Sequence, residues 1–158
     1  MRMSRICRFL RRLQIKIEGG DGRGRYICGE SFRETIIERV DDRLLKDRLF
    51  LDSTLTIEML ARIVGTNRTY LSQSISMQKG MTFCEYINSF RIEYAKSYIR
   101  ENINKGDTGS RTQCSFLSTD DIAFASGFGS KRNFVRQFRR QAGVTPMQYM
   151  KSLNSSYI

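Results

Sequence analysis

Gly65-Thr66-Asn67-Arg68-Thr69-Tyr70-Leu71, followed by Gly80-Met81-Thr82-Phe83-Cys84-Glu85-Tyr86, is written twice in this chain. The second copy reads Gly127-Phe128-Gly129-Ser130-Lys131-Arg132-Asn133-Phe134, followed by Gly143-Val144-Thr145-Pro146-Met147-Gln148-Tyr149. Leu60-Ala61 matches Ile122-Ala123 at an offset of 62, and positions from Asn67/Ser130 onward match at 63. Gly129 supplies the extra residue and lengthens the second turn. In the first copy a short apolar stripe (Ile57, Leu60, Ala61 and Val64) precedes Gly65, suited to the left-handed residue that closes a helix, and in the second Ile122 and Ala123 precede Gly127. A capping residue follows, Asn67 or Ser130, and opens a polar helix. A chain that writes helix, tight turn and polar helix twice builds two similar docking units.

Around this repeat, Thr56 is a plausible N-cap for the first short helix, and Asn67 starts a helix expected to reach about Met77. Thr82 and Glu85 form a capping box that opens a long helix through Tyr86, Ile87, Phe90, Ile92, Ala95 and Ile99. Some 18 residues of it would span roughly 27 Å, a rigid spacer between the units. Ser118, with Asp121 three residues on, reads as a weaker capping box for the second unit. Thr145-Pro146-Met147-Gln148 opens the last helix, with Pro at its first position. Phe128, Phe134 and Phe138 should point inward. Upstream, Ile36, Ile37, Val40, Leu44, Leu45 and Leu49 recur at helical steps, predicting a support helix from Ser31 to about Asp52-Ser53. The fold class is therefore all-α, with two helix-turn-helix subdomains joined by a long linker helix.

The expected boundaries are a basic tail and Gly-rich linker over 1–30, then the support helix, first unit and linker helix over 31–101. A flexible loop insertion over 102–117 follows, then the second unit over 118–153 and a tail over 154–158. Within the tail, Ile6, Phe9, Leu10, Leu13 and Ile17 share a stripe between arginines. A helix this short is marginal alone, so it reads as a tail before it reads as a membrane-surface helix or an extra DNA arm.

Charge narrows the partner. The chain of 158 residues carries a net charge of +11, and residues 55–158 alone hold 14 Lys/Arg against seven acids. The basic balance belongs to the repeat, and it favours a polyanion through counterion release. Apolar residues make up 40%, including ten Phe and seven Tyr, enough for a folded core. Cys7, Cys28, Cys84 and Cys114 are scattered with no C-x-x-C pair, and the chain contains no histidine. Mixed Cys/His zinc sites and Ser-His or Cys-His hydrolases are thereby set aside, so no metal, cofactor or catalytic residue is expected. Reduced thiols suit a cytoplasmic setting. No apolar run approaches the roughly 18 residues of a membrane helix.

Two helices meeting at a turn that contains Gly can place the second in the major groove of double-stranded DNA. That helix must carry apolar residues inward and polar ones outward. Leu71 and Ile75 face in on the first candidate, with Arg68, Thr69, Ser72, Gln73 and Ser76 outward. Phe134 and Phe138 face in on the second, with Lys131, Arg132, Val135, Arg136 and Arg139 outward. Tyr70, Tyr86 and Tyr149 read as core-edge residues.

With those residues in place, the sequence resembles the AraC/XylS family of bacterial transcriptional regulators. Leu60-Ala61…Val64-Gly65…Tyr70-Leu71…Gly80-Met81-Thr82…Tyr86-Ile87…Arg91-Ile92…Ala95 carry the resemblance in the first copy. In the second, Ile122-Ala123…Gly127-Phe128…Ser130…Phe134…Phe138-Arg139…Gly143…Thr145-Pro146…Tyr149 carry it, and the match covers about 55–152. The resemblance implies two recognition helices in successive major grooves. Base contacts would come from Thr69, Ser72 and Gln73, and from Lys131, Arg132 and Arg136, with Arg68 on phosphate. Gln73 suits adenine, and Arg132 or Arg136 suits the acceptor edge of guanine. Arg139 completes the cationic face of the second helix, which is expected to anchor the DNA while the first refines the choice of site.

Two departures stand out. The segment before the second unit is about a dozen residues longer than the family pattern needs. The 54 preceding residues are also too few, and too charged, for the sensing domain that members usually carry. The chain reads as a stand-alone binder or a piece of a longer regulator, a monomer ahead of an oligomer, with RNA polymerase as a second candidate partner. The rival reading is a protein-interaction or regulatory remnant with little specific DNA binding. An enzymatic role ranks last, since the leftover cysteines have no evident activating partner.

Overall fold

The computed structural model describes residues 30–105 and 118–154. The helices there are α1 (Glu30–Lys46), α2 (Ile57–Ile63), α3 (Arg68–Lys79), α4 (Phe83–Lys105), α5 (Thr119–Ala125), α6 (Lys131–Ala142) and α7 (Pro146–Asn154). A 3₁₀ turn, Leu49–Leu51, lies between α1 and α2. No strand occurs among the described residues, so the all-α class holds. Nearly all of the basic tail and Gly-rich linker expected over 1–30, most of the loop insertion, the end of the chain after 154, and Cys7, Cys28 and Cys114 lie outside the described residues.

Local capping chemistry starts most of these helices. The Thr56 Oγ1 accepts from the Met59 amide at 3.2 Å, and the Asn67 Oδ1 from the Tyr70 amide at 2.9 Å. Thr82 and Glu85 exchange both capping-box bonds, at 3.0 and 3.3 Å, as do Thr145 and Gln148 at 2.9 and 3.3 Å. The box expected at Ser118 is only half made. Its hydroxyl accepts from the Asp120 amide at 3.2 Å, and Asp121, one position further round the turn, returns no bond. Ser130 caps α6 through the Asn133 amide at 3.4 Å.

The two copies close their first helices in the same way. The Thr66 amide reaches the Ala61 carbonyl at 2.8 Å while the Gly65 amide reaches Arg62 at 3.2 Å. In the second copy Phe128 reaches Ala123 and Gly127 reaches Phe124, each at 3.0 Å. This paired closure requires a left-handed residue, and the glycines adopt φ of 72° and 77°.

Two cores result. Ile36, Ile37, Val40, Leu44, Phe50, Leu60, Leu71, Ile75, Tyr86, Ile87 and Phe90 form the first. Ile92, Ala95, Ile99, Ile122, Phe128, Phe134 and Phe138 form the second. The linker helix α4 serves each with a different face. Its first half buries Tyr86, Ile87 and Phe90, and its second half buries Ile92, Ala95 and Ile99. Phe90 and Ile92 are about 200° apart around an α-helix, so the buried side switches within one turn.

The structure corrects three boundaries and two side-chain placements. The support helix stops at Lys46, because Arg48 takes a left-handed conformation (φ 50°) that swings Phe50 into the first core. There its ring lies 5.9 Å from Phe90 and 5.8 Å from Tyr94. Helix α3 runs on to Lys79 before Gly80 caps it. Helix α4 continues past Asn102 to Lys105, 23 residues in all, or about 35 Å. Ile103 packs against the second core and the Asn102 side-chain Nδ2 donates to the Tyr98 carbonyl at 2.7 Å, so the helix is held where a loop was expected. Tyr70, expected at a core edge, is 47% exposed, while Tyr86 is buried. Val135, expected outward, is half-buried against the second core.

Candidate nucleic-acid interface

Helices α3 and α6 follow equivalent glycine turns, and their caps give them equivalent starts. In α3 the buried side is Leu71, Ser74 and Ile75. Arg68, Thr69, Ser72 and Gln73 are all exposed, as expected, and Tyr70 and Ser76 join them. In α6 the buried side is Phe134 and Phe138, held by a chain of ring contacts from Phe128 through Tyr149 at 5.3–5.6 Å. Lys131, Arg132, Arg136 and Arg139 are all exposed. Helix α6 carries no acidic residue at all.

Arg132, Arg136 and Arg139 come together along one open groove of about 600 Å³, which Val135, Arg140 and Thr145 complete. Three of the four guanidiniums face no carboxylate among the described residues, while Arg140 is paired with one, so the groove is strongly cationic. Arg140 was missed in the sequence reading. Its signal was present in the i, i+4, i+8 spacing of Arg132, Arg136 and Arg140, which aligns them on one stripe. It also bridges the units: its guanidinium donates to the Glu85 carboxylate at 2.6 Å. Glu85 is held below its ordinary pKa first by the Thr82 amide and hydroxyl, then by Arg140.

The first cation of α3 and of α6 is already paired. Arg68 lies 3.2 Å from Glu58, and Lys131 lies 2.6 Å from Asp120. These are matching positions in the two copies, the acids 62 apart and the bases 63 apart. Such exposed pairs are worth about 0–1 kcal/mol each, little enough for a phosphate to displace the carboxylate. Arg136 donates to the Asn133 side chain at 3.2 Å, which holds it against the helix.

No group of three or more metal-ligating side chains occurs among the described residues, and Cys84 is an exposed free thiol. No described helix is long and apolar enough to cross a membrane.

Residues 60–152 match the family model described as a helix-turn-helix domain, the AraC-type version. The chain belongs to the AraC-type helix-turn-helix family. Among curated relatives, it is 30% identical over 104 residues to the HTH-type transcriptional regulator YtdP of Bacillus subtilis, covering 66% of this chain and 12% of that protein. A Staphylococcus aureus relative, the HTH-type transcriptional regulator SACOL0084, is also 30% identical over 104 residues, covering 64% of this chain and 12% of its own length. The chain thus spans about an eighth of the curated relatives it matches.

Among solved structures, the C-terminal domain of AraT, a response regulator from Geobacillus stearothermophilus, superposes with a TM-score of 0.57 at 25% identity. That match covers 74% of this chain and 84% of that one. An AraC-type transcriptional regulator from Chromobacterium violaceum shares the fold at a TM-score of 0.57 and 16% identity, covering 77% of this chain and 95% of its own. The AraC-type match begins at Leu60 and ends within α7, so it takes in both turns, both polar helices and the linker.

Proposed function

We propose that this AraC-type domain is the DNA-contacting part of a transcription regulator, reading sequence with α3 and α6 in successive major grooves. One observation carries the reading. Two helices in equivalent turn settings each bury an apolar side and expose a polar one, and the second exposed side is cationic but for Gln141 near its end. Thr69, Ser72 and Gln73 offer neutral donors and acceptors of the kind that sort base edges. Arg132, Arg136 and Arg139 offer forked cations that take phosphate oxygens or the guanine acceptor edge. Arg68 and Lys131, released from Glu58 and Asp120, offer charge to DNA at the start of each helix, Arg68 to phosphate and Lys131 to a base edge.

The reading is tested by selecting bound duplexes from a randomised pool. The expected result is one extended motif with two half-sites about one helical turn apart. In the same assay Arg132→Ala should lose discrimination at one base pair, by about 1–3 kcal/mol, and leave the rest of the motif intact. A pool with no enriched motif, alongside weak binding to any duplex, would instead favour a protein-interaction role.

A further inference from the structure

The two cores meet at one residue. Arg91 sits on α4 between Phe90, the last linker residue in the first core, and Ile92, the first in the second. Its side chain is 9% exposed and reaches across more than one element. The Nε donates to the Phe50 carbonyl at 2.6 Å, and a terminal nitrogen donates to the Asp52 carbonyl at 2.7 Å. The guanidinium carbon lies 5.6 Å from the centre of the Phe128 ring, in the second unit. One planar cation therefore holds the chain between α1 and α2, the linker helix and the second turn. Asp52 is itself fixed, because its carboxylate accepts from the Thr54 amide at 2.8 Å and hydroxyl at 2.7 Å.

The same place is packed without slack. The Cα of Gly127 faces the backbone of Leu51 so closely that a Cβ there would stand 2.6 Å from the Leu51 carbonyl oxygen. Next to it, Gly129 faces the Ser53 side chain at 3.9 Å by the same measure. On the other side of α4, Arg140 of the second unit is tied to Glu85 of the linker. The units touch directly as well as through the helix that joins them.

We propose that Arg91 is a positioning residue that fixes the two helix-turn-helix units at one angle, so that the spacing of the half-sites is set by the protein before DNA arrives. Buried guanidinium is suited to this. Its fork serves two carbonyls at fixed directions while its face stacks on a ring, which a lysine ammonium cannot do. Burial lowers the Arg91 pKa from its ordinary value, opposed by the nearby Asp52 carboxylate, and the two carbonyl bonds replace the water it gives up. The meaning for DNA rests on the reading in the preceding section, but the mechanical statement does not.

The test uses the full chain with its four cysteines replaced by serine and spin labels attached to new cysteines at Gln78 and Gln141. Both positions are exposed and lie outside the proposed DNA contacts. Pulsed electron resonance without DNA should give a single narrow distance distribution for the parent. In Arg91→Gln the distribution should become at least about twice as wide or move to a new mean. Arg91→Lys, which keeps the charge and loses the fork, should broaden it while leaving the helical circular dichroism unchanged. A folded Arg91→Lys whose distribution superimposes on the parent's overturns the proposal, even if Arg91→Gln fails to fold.

A second readout uses a duplex selected by the parent, with two base pairs inserted between the half-sites. The insertion adds about 7 Å and about 70° of twist. The parent should lose at least about tenfold in affinity, and Arg91→Lys less than about threefold. Equal losses in the two would overturn the link to spacing. A pool with no motif would sink the DNA reading and leave the resonance result standing.

Discussion

Gly65 and Gly127 occupy the same place in the repeat and share the same left-handed backbone, yet their surroundings differ. A Cβ on Gly65 meets nothing within 4 Å, whereas one on Gly127 collides with the backbone of Leu51. Gly65→Ala should therefore cost only the left-handed strain, about 1–2 kcal/mol. Gly127→Ala should cost that plus an overpacking penalty, together about 2–5 kcal/mol. Urea unfolding of the two variants checks this, and equal losses would show that the second turn is free to move away from Leu51. The need for a glycine at both positions was legible, since a helix-closing turn asks for one locally. The collision was not, because Leu51 is far away in sequence. Tyr70 failed for a related reason: helical spacing puts it near Leu71 and Ser74 on paper, but only the packing of α1 against α3 decides which side of it is covered.

At the scale of elements, three helices, α1, α3 and α4, converge on Asp41. This carboxylate is 4% exposed, pairs with Lys79 on α3 at 3.3 Å, and accepts from the Tyr86 hydroxyl on α4. Burial raises its pKa from 3.8 to about 6, against the pull of the Lys79 ammonium. The folded chain thus holds this proton more tightly than the unfolded chain. Ionising Asp41 is a cost that is absent below about pH 4 and complete above about pH 6, on the order of 2–3 kcal/mol. The parent should lose stability relative to Asp41→Asn as pH rises through that window, as measured by urea midpoints at pH 4, 5, 6 and 7. Parallel profiles for the two proteins would refute it. Helix starts were readable because a cap and its amide are two or three residues apart. The Asp41 cluster spans 38 and 45 residues, and the Arg91 bonds span 41 and 39, so no local pattern announces them.

For the whole molecule, the net charge of +11 and the repeat together pointed to DNA, and the fold shows how the charge is divided. The four arginines of α6 line one groove, while the outward face of α3 is mostly neutral. If α6 anchors and α3 selects, salt should separate them. The logarithm of the binding constant should fall linearly with the logarithm of salt, by about 0.9 per phosphate neutralised. Arg139→Gln should reduce that slope by about one, and Gln73→Ala should leave it unchanged while altering the selected motif. Filter binding from 50 to 200 mM salt decides the matter, and equal effects on the slope would remove the division of labour. The two-unit architecture was legible because the repeat is local in each copy. The way the units lean on each other was hidden, since it depends on which face of α4 each one covers.

That change of face within α4 limits how the chain can vary. A residue inserted between Phe90 and Ile92 would turn everything after it by about 100° and advance it by about 1.5 Å. The second core would then meet the wrong side of the helix, and Gly127 would no longer find Leu51. The shortest insertion that brings the faces back to within roughly 20° is about seven residues, about two full turns. Such an insertion would still push the units about 10 Å apart. The length of the linker between the two cores is therefore as constrained as the residues that face them.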